Sequence, residues 1–292
     1  MESVTCNLCG SAEHRAVYSI PDVHYFRDEW FTVVECLGCG LGFVNPRPTR
    51  EEIFRHYPAD FYGYFDREKN FNERRYELEA RLVEAAAGAG LGKSLLDVGC
   101  ANGDFPRLML GRGWEVEGVE VSPNARAISD FKVYTEEFAR IPVRGPRYDV
   151  LTAWAVLEHV HDPVSYFKKA SEVLKPGGVF MFLVTNFASL SSRALFREDV
   201  PRHLYFYTEE TVGRYLALSG LELVRADYGN ELYEMRPVGW LRYYVYRYLL
   251  GREMKFDDIP PNRVEYLAAR GLTSSLFSNL RYVFTHPFTV ID

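Results

Sequence analysis

Leu95-Leu96-Asp97-Val98-Gly99-Cys100-Ala101-Asn102-Gly103-Asp104-Phe105 is the stretch from which the fold is read. Leu95, Leu96 and Val98 have the apolar character of a buried parallel strand, and Phe105 to Leu110 has helical spacing. Gly99 and Gly103 supply the tight turn between them, where a backbone without side chains can approach a ligand closely. Asp97 departs from a phosphate cradle. A carboxylate in the strand just before the turn repels a pyrophosphate but suits the ammonium end of an amino-acid-like ligand. The next strand, Val116-Glu117-Gly118-Val119-Glu120-Val121, carries Glu120 at its C-terminal end, 23 positions after Asp97. An acidic group there is placed to accept hydrogen bonds from a ribose diol.

A cation beside the first strand and a ribose at the second describe S-adenosylmethionine, and from about Ser94 to Tyr228 the sequence resembles the class I S-adenosylmethionine-dependent methyltransferases. Leu95 to Gly103 looks like the family's first motif and Gly118-Val119-Glu120-Val121-Ser122-Pro123 like its second-strand acidic motif. Tyr148-Asp149-Val150-Leu151 through Leu157-Glu158-His159-Val160 is similar to the fourth strand and its loop. Leu174-Lys175-Pro176-Gly177-Gly178 is similar to the turn before the fifth strand. The glycine turn alone also fits a dinucleotide-binding domain; the three later motifs, in order, move the reading to the methyltransferases. Ala101 stands where the family's middle glycine is usual. The resemblance implies cofactor contacts at Asp97, Gly99, Cys100, Ala101, Gly103, Glu120, Val121 and Ala155, and adenine at Glu137 and Phe138.

The chain has 292 residues, 47% of them hydrophobic and 25% charged, ordinary values for a globular protein with a sizeable core. Aromatic content is 15%, with 20 Tyr and 20 Phe, which serves flat ligands or simply an aromatic core. The formal charge of −6 gives no sign of a basic face for nucleic acid. There is no signal-peptide pattern at the N-terminus and no apolar run long enough to span a membrane. The expectation is a cytoplasmic enzyme, monomeric or a homodimer.

Cys6 and Cys9 form one Cys-x-x-Cys and Cys36 and Cys39 another, each followed by glycine, at Gly10 and Gly40. Two such turns offer four thiolates to one tetrahedral zinc ion. A disulfide framework is the alternative, and a reducing compartment disfavours it. With four protein ligands no coordination position stays open, so this zinc folds the N-terminal segment and does no chemistry. Strands are expected at Ala16 to Ile20 and Phe31 to Glu35. Cys100 reads as a small packing residue.

The organisation expected is a four-cysteine zinc ribbon over residues 1–48, a helical, aromatic-rich cap over 49–90, the S-adenosylmethionine domain over 91–230, and a helical C-terminal extension over 231–292. The domain is an α/β, doubly wound, Rossmann-like sheet of seven strands, with Phe288 to Ile291 as an antiparallel last strand. Thr49-Arg50-Glu51-Glu52 has the form of a capping box, so a short helix is expected from Arg50 to His56, ended by Pro58. A long helix is expected from Glu68 to Ala87, and further helices over 105–112, 123–130, 163–174 and 208–219. The remaining strands are expected at 131–135, 149–155, 179–185 and 221–228. The zinc segment and aromatic linker resemble methyltransferases of sugar-modifying clusters. There a linker tyrosine reaches the active site; Tyr62 matches best, with Tyr64 close behind and core packing open for both.

Val200-Pro201-Arg202-His203-Leu204-Tyr205-Phe206 resembles the Glu-His-Leu-x-Tyr-Phe loop of zinc-containing deoxysugar C-methyltransferases. The resemblance makes His203 the general base. Arg202 replaces the glutamate, which weakens the carry-over of C-methylation; it reads either as a clamp for an acceptor phosphate or as a solvated arginine. His159 matches a second active-site histidine, with a role as catalytic helper or as part of the cofactor pocket. Imidazole is suited to take a proton from the acceptor near neutral pH.

The implied function is methyl transfer to a small-molecule acceptor, a sugar, sugar nucleotide or related intermediate, at oxygen or carbon. Two alternatives stand beside it: an RNA base methyltransferase with a zinc ribbon, and a non-catalytic S-adenosylmethionine-binding scaffold. Trp240 to Leu250 is an aromatic and basic helix candidate that covers the core, joins a dimer or touches a membrane or partner, and another helix is expected from Asn262 to Arg270.

Overall fold

The computed structural model describes residues 1–22, 28–57, 69–122, 128–188, 199–227 and 288–291. Strands β1 (His14–Pro21), β2 (Trp30–Cys36) and β3 (Gly42–Val44) lie N-terminal to helix α1 (Lys69–Ala87). The alternating part follows: β4 (Ser94–Val98), α2 (Asp104–Gly111), β5 (Glu115–Val119), β6 (Lys132–Tyr134), β7 (Tyr148–Trp154), α3 (Pro163–Val173) and β8 (Leu174–Val184). The chain continues with β9 (Tyr205–Phe206), α4 (Glu209–Ser219), β10 (Arg225–Asp227) and β11 (Phe288–Ile291).

The larger sheet has seven strands in the order β10-β11-β8-β7-β4-β5-β6, the expected doubly wound arrangement. β4 lies in its interior between β7 and β5, parallel to both. Leu95 and Leu96 are fully buried and Val98 and Asp97 nearly so, the signature of a strand covered on both faces. β11 runs antiparallel between β8 and β10, as expected for the last strand.

Local chemistry sets the helix boundaries. The Asp162 side chain accepts from the Ser165 amide at 3.4 Å and Pro163 occupies the first turn, so α3 starts there. It then buries Tyr166, Phe167, Ala170 and Val173 along one face. Thr208 and Thr211 cap α4 reciprocally, and Gly220, at φ +72°, ends it. Thr49 and Glu52 bond each other at 2.9 and 3.3 Å, but the segment they open is a 3₁₀ helix, Glu52–His56.

Several expected elements differ. The sixth strand shortens to Arg225–Asp227, because its neighbour β11 offers partners only to those three residues. The fifth begins earlier, at Leu174, and runs through the Pro176-Gly177-Gly178 turn. Residues 128–130 of the expected second helix are not helical, and 123–127 lie outside the described residues. Pro58, Tyr62, Tyr64 and the helix candidates at 240–250 and 262–270 also lie outside them.

β1, β2 and β3 form a second, antiparallel sheet whose fourth strand is β9. The N-terminal segment thus shares a sheet with the loop that carries His203. One apolar core runs across both, joining Cys6, Leu41 and Phe43 to Val98, Leu157 and Tyr205. Among the described residues no helix is long and apolar enough to cross a membrane.

Candidate active site and metal centre

At the turn after β4, Gly99 and Gly103 have φ of +77° and +82°, conformations that glycine adopts freely. A Cβ on Gly99 would lie 2.5 Å from Val156, so the turn and the loop bearing Glu158 and His159 are in contact. Ala101, at φ +47°, holds the left-handed conformation that the family's middle glycine would take. Its amide donates to Glu120 Oε2 at 2.9 Å, and the Ser122 amide donates to Oε1 at 2.9 Å. Each carboxylate oxygen keeps a lone pair, so Glu120 retains acceptor capacity for a ribose diol.

Asp97 accepts from the Thr152 hydroxyl at 2.6 Å. Burial, and then the charge of Glu120, push its carboxyl up to about 7, with the Thr152 bond opposing. A cationic ligand is what such a site lacks, and the ammonium and sulfonium of S-adenosylmethionine fit it. Val121 is 46% exposed at the open edge, and Ala155, at φ +54°, bonds Leu183 through its amide. Cys100 is buried and its thiol is pushed well up by burial, as suits a packing residue. Glu137 is ion-paired with Arg50 and sits 3.7 Å from Arg140. Phe138 is fully buried edge-on to Tyr166, so its ring belongs to the core and only its backbone remains to meet an adenine.

On the other side of the turn, the rings of His159 and His203 meet edge to face with centroids 4.6 Å apart. His159 follows β7 and His203 precedes β9, so two loops converge at the C-terminal ends of the parallel strands. His159 Nδ1 donates to the Arg202 carbonyl at 3.1 Å, which leaves its Nε2 with the lone pair. Burial, and then the neighbouring imidazole of His203, lower His159 to about 3. Burial lowers His203 as well, opposed by Asp199 at 3.6 Å.

Tyr57 escaped the sequence reading, and Glu158, quoted there in the motif after the fourth strand, was given no role. The hydroxyl of Tyr57 lies 2.9 Å from His159 Nδ1, so a tyrosine of the cap does reach the histidines, from just before the stretch in which Tyr62 was expected to. Glu158 is fully buried, and among the described residues neither carboxylate oxygen is hydrogen-bonded beyond its own backbone amide. Arg202 answers to neither reading made of it. It is 1% exposed, and its Nη1 donates to Asp22 Oδ1 at 3.3 Å and to the His56 carbonyl at 3.4 Å. His56 Nδ1 meets Asp22 Oδ2 at 2.7 Å, both residues fully buried. An arginine committed to that buried carboxylate can neither clamp a phosphate nor lie in solvent.

The four cysteines of the two knuckles have their Sγ atoms within 4.8 Å of one another. Cys6 and Cys39, and Cys9 and Cys36, each approach to 3.4 Å, far beyond a disulfide bond and close to the roughly 3.8 Å edge of a zinc–thiolate tetrahedron with arms of about 2.3 Å. Burial pushes the Cys6 thiol up to about 11, a penalty that a dication in their midst would remove. Gly10 and Gly40, at φ +75° and +78°, close the two turns with equivalent bonds to the carbonyls of Cys6 and Cys36. The residues present therefore fit a closed, structural zinc site.

Arg47, just after the second knuckle, donates to the His161 carbonyl at 3.1 Å and the Tyr205 hydroxyl at 2.8 Å, and so ties the N-terminal segment to the loop after β7 and to β9.

Residues 71–226 match the family model described as Methyltransferase domain. The chain is similar to the ubiquinone biosynthesis O-methyltransferase of Acinetobacter baumannii, 33% identical over 120 residues, covering 37% of this chain and 51% of that one. It is 30% identical over 154 residues to the enzyme of the same name from Azoarcus sp., covering 46% and 66%. The chain thus spans about half to two thirds of the length of these curated relatives. Among solved structures, a SAM dependent methyltransferase from Archaeoglobus fulgidus superposes with a TM-score of 0.52 at 21% identity. The match covers 78% of this chain and 98% of that one, and at such identity it speaks for the fold.

Proposed function

The chain belongs to the methyltransferase-domain family, and from that premise we propose that it transfers the methyl group of S-adenosylmethionine to a hydroxyl oxygen of a small molecule. The acceptor class proposed is a sugar, a sugar nucleotide or a related glycan or natural-product intermediate, and the setting is cytoplasmic. The observation that carries the reading is the meeting of His159 and His203, at 4.6 Å, beside the glycine turn. Oxygen is favoured over carbon on two grounds. The similar relatives are named O-methyltransferases, and the glutamate of the C-methylating loop is replaced by an arginine that is buried against Asp22.

In this reading the glycine turn, Asp97 and Glu120 hold the cofactor, whose sulfonium supplies the electrophilic methyl group. His203 takes the hydroxyl proton as the oxygen attacks in line. Burial keeps its imidazole neutral at pH 7, ready to accept. His159, fixed by Tyr57 and the Arg202 carbonyl, orients the acceptor. A zinc ion held by Cys6, Cys9, Cys36 and Cys39 would hold the fold of the N-terminal segment, whose strand β3 pairs with β9 just after His203.

The test is methyl transfer from labelled S-adenosylmethionine to a panel of nucleoside diphosphate sugars, free sugars and phenols. Turnover by wild type and by His203→Ala is measured beside cofactor affinity. A loss of about 10²–10⁴-fold in turnover at unchanged affinity is expected. Full activity in His203→Ala would end the base assignment, and transfer to RNA alone would end the small-molecule one.

A further inference from the structure

Glu158 has no role in the chemistry described so far, yet its position is unusual. It is fully buried, and among the described residues neither carboxylate oxygen has a hydrogen-bond partner beyond its own backbone amide. Its own carbonyl accepts from the amides of Leu204 and Tyr205, at 2.7 and 3.2 Å, so its backbone is clamped to the strand that follows His203. One carboxylate oxygen and one ring nitrogen each of His159 and His203 lie within 4.8 Å of one another. No hydrogen bond joins Glu158 to either ring at this separation, and catalytic bonds commonly tighten only when ligands bind.

The other polar groups nearby are already occupied or exposed. The Tyr207 hydroxyl donates to the Leu157 carbonyl at 2.8 Å. The Arg202 guanidinium is bound to Asp22, and the Tyr57 hydroxyl to His159. Asp199 is half exposed and repels a second negative charge. The two imidazoles are thus the proton-carrying groups that Glu158 faces.

We propose that Glu158 is a proton-relay partner of His203, the final holder of the proton that leaves the acceptor during methyl transfer. The relay rests on His203 as the base. One ring nitrogen of His203 takes the hydroxyl proton while the other gives its own proton to the Glu158 carboxylate. The acceptor oxygen bonds to the methyl carbon, and the carbon–sulfur bond breaks with its electron pair left on sulfur. The products are the methyl ether, S-adenosylhomocysteine, a neutral imidazole and a neutral carboxylic acid, which returns its proton to water before the next turnover. Burial supports this order. It lifts Glu158 to about 8 and lowers His203, so the proton is held better by the carboxylate than by the ring that first receives it.

The experiment compares zinc-loaded wild type with Glu158→Gln, Glu158→Asp and His203→Ala. It measures kcat and KM against pH on the acceptor identified above, with cofactor affinity by calorimetry. Infrared titration looks for the buried acid without recourse to activity. Wild-type kcat is expected to rise with pH to a plateau above about 8, which the ionisation of Glu158 sets. Glu158→Gln should lose that limb and about 10²-fold in kcat, with KM and cofactor affinity kept, while Glu158→Asp keeps the limb at a reduced rate. The part of the carboxylic acid band near 8 that Glu158→Gln removes, beside the part left by Glu79, supports the proposal only together with the loss of the pH limb; an unchanged band in Glu158→Gln overturns it. A wild-type profile in Glu158→Gln, beside an inactive His203→Ala, overturns the relay and leaves the base. Full activity in His203→Ala removes both. Activity that requires an added divalent cation also overturns the relay, since Glu158 would then be a metal ligand.

Discussion

The Asn7 side chain donates to Asp162 Oδ1 at 2.9 Å, joining the first cysteine knuckle to the residue that caps α3. Its own oxygen accepts from the Val164 amide at 3.1 Å and the Tyr215 hydroxyl at 3.2 Å. One side chain inside Cys6-Asn7-Leu8-Cys9 thus docks the N-terminal segment on two helices of the larger sheet. Asn7→Ala leaves all three partners short of a bond in a half-buried place. The expected cost is about 1–3 kcal/mol of stability with zinc content unchanged, measured by denaturant titration beside metal analysis.

The zinc centre should act on the site at a distance. About one zinc per chain is expected in protein prepared without chelator, and Cys36→Ser should lose it. β3 pairs with β9 in the register Gly42–Phe206 and Phe43–Tyr205, and the Val44 amide donates to the Leu204 carbonyl at 3.0 Å, so loss of the metal should free the strand that follows His203. Hydrogen exchange at the Val44 and Phe206 amides should accelerate on metal removal, while the Leu95 and Leu96 amides in the interior strand β4 should change little. Equal acceleration at both places would mean global unfolding and not a local coupling.

What the sequence made legible was local. The glycine turn, the paired cysteines, the Thr208 cap and the alternation of strands and helices each depend on residues within a few positions of one another. Arg202 and Asp22 are 180 positions apart, and no spacing rule connects them. Tyr57 and Glu158 were missed for a similar reason. A tyrosine at a helix end and a glutamate in a loop look solvated until a distant segment covers them. The one hint was Asp22 itself, an acid directly after Ile20-Pro21 at the end of β1, which once buried requires a cationic partner.

Cofactor binding rests on two carboxylates with different surroundings. Asp97→Asn keeps the Thr152 contact but removes the negative charge, and Glu120→Ala removes the acceptors of the ribose diol. Each change removes charge-assisted bonds worth about 1.5–3 kcal/mol, so calorimetry should show S-adenosylmethionine affinity lowered by roughly 10- to 150-fold. Gly99→Ala should be worse, because it needs both a left-handed backbone and space that Val156 fills at 2.5 Å.

Tyr57 offers a test of how the cap serves the histidines. Tyr57→Phe deletes the hydroxyl 2.9 Å from His159 Nδ1 and leaves the ring packing. The Arg202 carbonyl still holds Nδ1, so the tautomer survives and only the ring's orientation loosens. Turnover should fall several-fold, far less than in His203→Ala, with cofactor affinity unchanged. A fall as deep as that of His203→Ala would give the Tyr57 hydroxyl itself a part in the chemistry.

Stability should depend on pH through three buried carboxylates. Glu79 and Glu158 are lifted from 4.5 to about 8, and Asp97 from 3.8 to about 7, each chiefly by burial. The folded chain without cofactor holds these protons up to pH 7–8, whereas the unfolded chain releases them near pH 4. Between those limits the folded state binds more protons, so stability falls as pH rises from about 4 to about 8. His159 works the other way. Lowered from 6.5 to about 3, it is protonated in the unfolded chain first, and so removes stability as pH falls below 6.5. The two trends oppose below pH 6.5, and above it only the carboxylates act. Melting temperature of the ligand-free protein should therefore decline between pH 6.5 and 8, and Glu79→Gln, which cannot ionise, should flatten that decline. S-adenosylmethionine should flatten it too, because its cationic groups stabilise Asp97 as a carboxylate and bring its proton affinity back down. A decline equally steep with and without cofactor would place the titrating groups away from the Asp97 site.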